Sequence, residues 1–215
     1  MLYQMYEFNH AVIAPLRALA TAGLEFWQNP GNPLAETYVA RSATASLKMF
    51  ERVTRRYGKP TFDIHETEFK GARVKVTEQV ILTKPFCHLL HFVKDLPEGQ
   101  GPGKKVLLVA PMSGHYATLL RDTVQSMLPF YDIYITDWID ARAVPLSAGS
   151  FDLDDYVDYI IEMLRHMGDT ASVMAVCQPS VPVLAAVSVM EAREDPYVPP
   201  SMILMGGPID TRISP

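Results

Sequence analysis

The sequence is poor in the features that mark several large protein classes. It contains two cysteines, Cys87 and Cys177, among 215 residues. They allow at most one disulfide, so a reducing cytoplasmic setting is expected rather than a stapled secreted scaffold. No window approaches eighteen uninterrupted apolar residues, which excludes a hydrophobic spanning helix. The first ten residues hold Glu7 but no Lys or Arg, and no small-residue cleavage pattern follows, so no signal peptide is expected. Positive charge is scarce and scattered: the formal net charge is -5 and no long basic run occurs. Nucleic acid is therefore not an expected partner, because affinity for phosphate backbones rests on clustered Lys and Arg. Histidine is missing from the whole stretch after Cys177; His10, His65, His88, His91, His115 and His166 all precede it.

What remains is a chain able to bury a core. Apolar residues make up 48% and charged residues 20%, which excludes disorder as the main state. Residues 2–28 read as a helix with Leu2, Tyr6, Ile13, Leu16, Leu24 and Trp27 near one face, kinked or restarted at Pro15. After the turn chemistry of Asn29-Pro30-Gly31-Asn32-Pro33, a second helix is predicted over residues 34–57. Leu47, Phe50, Val53 and Tyr57 are spaced for its face. Residues 1–60 are thus expected to form a helical N-terminal extension.

From Arg73 the period changes. Val74 and Val76, then Val80 and Leu82, alternate as in a strand, and residues 86–93 read as its neighbour. Residues 105–110 form a nearly continuous apolar run, as expected of a central strand buried on both faces. Helical signal follows over 116–127, and further strands are predicted over 132–136, 172–176 and 201–205. Helices are predicted over 153–167 and 180–193. Asp152, Asp154 and Asp155 lie at the positive end of the first of these, Arg165 and His166 at its negative end, and Gly168 is placed to stop it.

Alternation of strand and helix from residue 105 onward predicts a parallel sheet with right-handed crossovers, preceded by an antiparallel pair. The fold class expected is α/β: an α/β-hydrolase-like, mostly parallel sheet over residues 61–215, incomplete because its C-terminal strands are absent. In open sheets of this kind reacting groups gather beyond the carboxyl ends of the strands.

One segment there carries a nucleophile. Ala175-Val176-Cys177-Gln178-Pro179 puts Cys177 between a buried strand and a helix, the position of the G-x-S-x-G elbow. A sharp turn lifts such a side chain clear of the sheet, and the Gln178 amide and the helix N-terminus face developing negative charge. Ala175 and Pro179 replace the usual flanking glycines. The same pattern is also that of a buried, inert thiol. A second segment, Pro111-Met112-Ser113-Gly114-His115, follows the first central strand, where an oxyanion-hole amide is supplied in hydrolases of this architecture. Met112 and Ser113 are the candidate donors, with a plain turn ahead of a helix as the alternative.

These residues give the chain a resemblance that runs over nearly its whole length. It is similar to the intracellular polyhydroxyalkanoate (poly-3-hydroxybutyrate) depolymerases. The likeness lies in Met1-Leu2-Tyr3-Gln4, Val76-Thr77-Glu78-Gln79-Val80, Lys84-Pro85-Phe86-Cys87 and Ala110-Pro111-Met112-Ser113-Gly114-His115. It extends through Thr136-Asp137-Trp138, Val176-Cys177-Gln178-Pro179 and Met205-Gly206-Gly207-Pro208-Ile209-Asp210. The resemblance implies that Cys177 is the nucleophile of a Cys-Asp-His triad that opens polyester bonds through an acyl-thioester. Gln178, Met112 and Ser113 would line the oxyanion hole through their backbones. It implies location at polyhydroxyalkanoate granules, a polymer or granule surface as partner, and no cofactor.

Triads of this architecture run nucleophile, acid, histidine, so the absence of any later histidine predicts the N-terminal portion of a longer hydrolase, weak or inactive alone. The strand over 201–205 would then be an apolar edge, and self-association through it is expected. Rival readings are a polyhydroxyalkanoate synthase-like acyltransferase, against which Pro179 argues, and a non-catalytic granule-binding protein. No metal site is expected: His88 and His91, three apart in a strand, fall on opposite faces. His65, Glu66 and Glu68 read as a solvated segment.

Overall fold

The structure, a computed structural model, describes residues 2–55, 57–112, 116–210 and 212. The chain forms two units, residues 1–58 and 59–215.

The first unit is a helical hairpin of α1 (Leu2–Gln28) and α2 (Tyr38–Thr54). The helix α1 runs through Pro15 without a restart, although an internal proline removes a backbone donor and costs about 3 kcal/mol. Gly31 and Leu34 amides donate to the side chains of Asn29 and Asn32 in the intervening turns. Thr37 then caps α2 by accepting from the Ala40 amide at 3.2 Å. The second helix is shorter than the pattern predicts because these turns occupy residues 29–37. The two helices approach closely at small residues: Ala20 and Ala40 are buried, and a Cβ on Gly23 would lie 3.0 Å from Leu47 Cδ1. The predicted faces are only partly the packed ones. Ile13, Leu24, Trp27, Leu47 and Phe50 are half-buried, but Tyr6, Leu16, Val53 and Tyr57 face solvent, since a two-helix hairpin can bury one stripe of each helix.

The second unit is one seven-stranded sheet in the order β1-β2-β3-β5-β4-β6-β7. The strands are β1 (Glu66–Phe69), β2 (Ala72–Thr83), β3 (Cys87–Lys94), β4 (Lys104–Val109), β5 (Tyr131–Trp138), β6 (Ser172–Val176) and β7 (Met202–Met205). The strand β1 was not expected from the sequence. Glu66 and Glu68 sit on its exposed face, while Thr67 and Phe69 are buried, and this four-residue alternation pairs antiparallel with β2. The first contacts between β3 and β5 are also antiparallel; from β5 through β4 and β6 to β7 the pairing is parallel. In β4 the residues Val106, Leu107, Leu108 and Val109 are buried, as its apolar run required, and in β5 every residue after Tyr131 is buried, the polar Asp132, Thr136 and Asp137 included. The arrangement is that of an α/β-hydrolase-like sheet.

Three crossovers carry helices: α3 (Arg121–Met127) after a 3-10 turn at Ala117–Leu120, α4 (Leu153–Met167) and α5 (Ser180–Ala192). The chain moves from β4 to β5, then back across β4 to β6 and on to β7. Right-handed connections therefore put α3 on one face and α4 and α5 on the other. The helix α4 begins with a reciprocal capping box between Asp152 and Asp155 and ends at Gly168, whose φ of 94° only glycine adopts without strain. Its buried residues are Tyr156, Ile160, Ile161, Met163, Leu164 and Met167; Met163 was not in the predicted stripe, and Leu153, expected there, is exposed in the first turn.

Candidate active site

The crossover direction reverses between β4 and β6, which are neighbours. The chain beyond β4 leads to α3 on one face and that beyond β6 to α5 on the other, so their carboxyl ends form the topological switch point, where open α/β sheets bind ligands in the crevice outside the strand ends. The two segments singled out by their chemistry occupy this place: Pro111 and Met112 follow β4, and Cys177 and Gln178 follow β6.

Cys177 has φ of 69°. For a residue with a Cβ this left-handed conformation is costly, of order 1 kcal/mol or more, and it persists only where the surroundings impose it. They do so through backbone bonds on both sides. The Cys177 amide donates to the carbonyl of Met205 at 2.7 Å, extending the β6–β7 ladder by one residue, and its carbonyl accepts from the Ser180 amide at 3.1 Å as α5 begins. The turn leaves Cys177 exposed at the end of a strand whose preceding residues, Val173, Met174 and Ala175, are buried. The other cysteine is the contrast: Cys87 is fully buried, and burial pushes its thiol well above the usual range.

The elbow lacks its customary glycines because room is made elsewhere. A Cβ on Gly207, in the loop after β7, would overlap Ser180 Cβ and Oγ and would lie 2.8 Å from the Cys177 carbonyl oxygen. The bare backbone at Gly207 therefore lets that loop press on the first turn of α5, while Pro179 occupies the N-cap position without needing an amide partner. Ser180 Oγ is buried there with no hydrogen-bond partner among the described residues. The signal for this contact was present in the sequence as Gly206-Gly207-Pro208, but spacing alone does not say which element a glycine must let pass.

On the β4 side both backbone groups of Ala110 are held. Its amide donates to Thr136 Oγ1 at 2.8 Å, and its carbonyl accepts from Trp138 Nε1 at 2.8 Å. Trp138 is itself set edge-on against Tyr156, with ring centroids 4.5 Å apart, and burial pushes the Tyr156 phenol far above its ordinary range. The loop thus leaves β4 from a fixed point. Its first amide to be placed, that of Met112, donates to Gln178 Oε1 at 3.1 Å. The structure accordingly brings Met112 and Gln178 together across the crevice. Ser113 and His115 lie outside the described residues.

Asp137, at the carboxyl end of β5, is buried and paired with Lys59; its Oδ1 has no partner among the described residues. Burial and the Asp137 charge raise the Glu78 carboxyl above its usual range. On the sheet's antiparallel part, His91 Nε2 lies 2.7 Å from Asp132 Oδ1, Tyr134 OH donates to the other oxygen at 3.1 Å, and the His91 and Tyr134 rings stack at 4.0 Å. This set holds a buried carboxylate within the sheet and lies near the amino end of β5, away from the crevice. Among the described residues no three His, Cys, Asp or Glu side chains are grouped to hold a metal ion, and no helix is long and apolar enough to cross a membrane.

No protein family and no curated protein matches the chain. Solved structures do. The N-formylmaleamic acid deformylase of Pseudomonas putida is 17% identical with a TM-score of 0.45, over 62% of this chain and 48% of that one. An α/β-hydrolase enzyme from the metagenome of Lake Arreo, Spain, is 15% identical with a TM-score of 0.44, over 90% and 58%. Naproxen esterase (carboxylesterase NP) of Bacillus subtilis is 12% identical with a TM-score of 0.41, over 60% and 42%. The chain spans about half the length of these structures.

Proposed function

We propose that the crevice between β4 and β6 is the acylation site of a thiol-based carboxylic-ester hydrolase, with Cys177 as nucleophile. The observation that carries the reading is the strained, exposed Cys177 at the end of a parallel strand and the start of a helix. An inert core thiol has no need of a positive φ or of exposure. In the proposed step Sγ attacks the ester carbonyl carbon, a C–S bond forms, and the carbonyl oxygen becomes an oxyanion facing the Gln178 amide and the loop after Pro111. Collapse breaks the C–O bond, and the departing alkoxide takes up a proton to leave as an alcohol. Water then cleaves the thioester to a carboxylic acid and restores the thiol.

The substrate in this reading is polyhydroxyalkanoate, poly-3-hydroxybutyrate in particular, on the strength of the motifs shared with its intracellular depolymerases. The partner is the polymer or granule surface. That family assigns proton transfer to a histidine beyond the cysteine, whereas all six histidines here precede Cys177. Acylation by an activated ester isolates the nucleophile from this requirement, because a good leaving group departs without an acid. Intact-mass analysis after exposure to a nitrophenyl ester of 3-hydroxybutyrate is expected to show one acyl group per chain, mapped to Cys177 and absent from Cys177→Ala. Acylation elsewhere, or none in folded protein, overturns the nucleophile. Release of soluble 3-hydroxybutyrate from amorphous polymer supports the substrate, whereas polymer growth from a coenzyme A thioester would assign synthesis instead.

A further inference from the structure

The packed side of α1 leaves a second apolar stripe uncovered. Met5, Val12, Leu19 and Phe26 recur every seventh residue, with Phe8, Pro15 and Ala22 three positions after the first three of them and Leu16 beside Pro15. Met5, Phe8, Val12, Leu16, Leu19 and Phe26 are each more than half exposed. A seven-residue repeat with apolar residues at its first and fourth places is the pattern that keeps one helix in register against another along a left-handed supercoil. Ala20, the buried residue of α1, lies about 100° around the helix from Leu19, whereas Gly23, which approaches Leu47, follows Leu19 by four residues and borders the stripe.

We infer that this stripe is a homodimer seam, occupied by α1 of a second copy of the chain. The stripe runs about 32 Å along the helix. Six large apolar side chains exposed to this degree present on the order of 700 Å² per copy, so two-fold pairing covers on the order of 1,400 Å², the size of a stable interface. Its flanks suit self-pairing: Ala11 and Ala18 permit close approach of two backbones, and Glu25 is the one charge bordering the stripe, so like charges do not line up. A lipid surface fits less well. Helices that lie on membranes carry Lys and Arg beside the apolar face, and α1 has Arg17 alone against Glu7 and Glu25.

The seam is independent of the chemistry proposed for Cys177. Sedimentation velocity of the full chain over a hundredfold range of concentration is expected to show a reversible dimer. Leu19→Glu and Val12→Glu should each sediment as monomers with unchanged helix content by circular dichroism, since both positions face solvent within the chain. Thr21→Glu, exposed on the other side of α1, should remain dimeric. A dimer that survives both seam substitutions, as one formed through the β7 edge would, overturns the assignment. So does a wild-type chain that stays monomeric throughout, whether or not polyester particles capture it.

Discussion

Gln178, the residue after the candidate nucleophile, reaches the first amide of the loop that leaves β4, its Oε1 accepting from Met112 N at 3.1 Å. One hydrogen bond therefore spans the crevice and couples the two segments whose backbones are proposed to face the oxyanion. The amide cannot serve Gln178 and a substrate oxygen fully at once, so the side chain both positions the loop and occupies its donor before substrate arrives. Under the proposed chemistry, Gln178→Ala is expected to slow acylation of Cys177 by about tenfold, roughly 1.4 kcal/mol, through loss of loop position. The melting temperature should stay near that of the parent. A faster reaction would show that the side chain acts as a plug, and an unchanged rate would remove it from the site.

The close passage at Gly207 gives a structural prediction that does not depend on the reaction. A methyl group at this position meets Ser180 and the Cys177 carbonyl, neither of which can retreat without moving the start of α5. Gly207→Ala is expected to cost about 1–3 kcal/mol in denaturant unfolding, the usual penalty for forcing bulk into a packed region. Ser180→Ala, by contrast, removes a buried hydroxyl that has no partner among the described residues and should be neutral or stabilising. A neutral Gly207→Ala would mean that the loop after β7 does not press on the elbow.

The sequence was most legible where one physical demand dominated. Burial on both faces made β4 visible as a nearly continuous apolar run, and a single stripe with charged ends made α4 readable to within a residue. Cys177 was found because strand, thiol and helix are consecutive in the chain. The partnerships around it were not legible, since Gly207, Thr136 and Trp138 meet the site only after the sheet order is set. The alternation at β1 was hidden by its charge: with Glu66 and Glu68 outward, the buried Thr67 and Phe69 are too few to register as a period. In the hairpin, α1 carries apolar residues on more than one side, and the pattern does not tell which side meets α2.

Exposure separates the two thiols and predicts their chemistry. Cys177 stands open at its turn, whereas Cys87 is enclosed and holds its proton because burial disfavours the thiolate. Brief treatment of the folded chain with iodoacetamide at neutral pH is expected to alkylate Cys177 more than about tenfold faster than Cys87, read by peptide mass analysis. Both should react alike in denaturant. Equal protection of the two in the folded state would place Cys177 inside the core and remove the elbow.

The loop after α5 is tied back to α4 by Asp195. Its carboxylate accepts from the Tyr197 amide at 2.9 Å and from Arg165 Nε and Nη2 at 2.8 and 2.5 Å, and these donors hold it below the ordinary value of 3.8 against the opposing effect of its enclosure. Because the folded form binds the proton more weakly than the unfolded form, the contribution is fully present above the unfolded value and is lost as pH falls through the folded one. Asp195→Asn is therefore expected to melt a few degrees below the parent at pH 7, since Asn cannot pair with the Arg165 charge. The gap should narrow as the pH is lowered beneath about 4, where the parent carboxylate also becomes neutral. Thermal melts of both proteins across that range decide the matter: a constant gap would assign the loss to shape or packing at residue 195 and not to its charge.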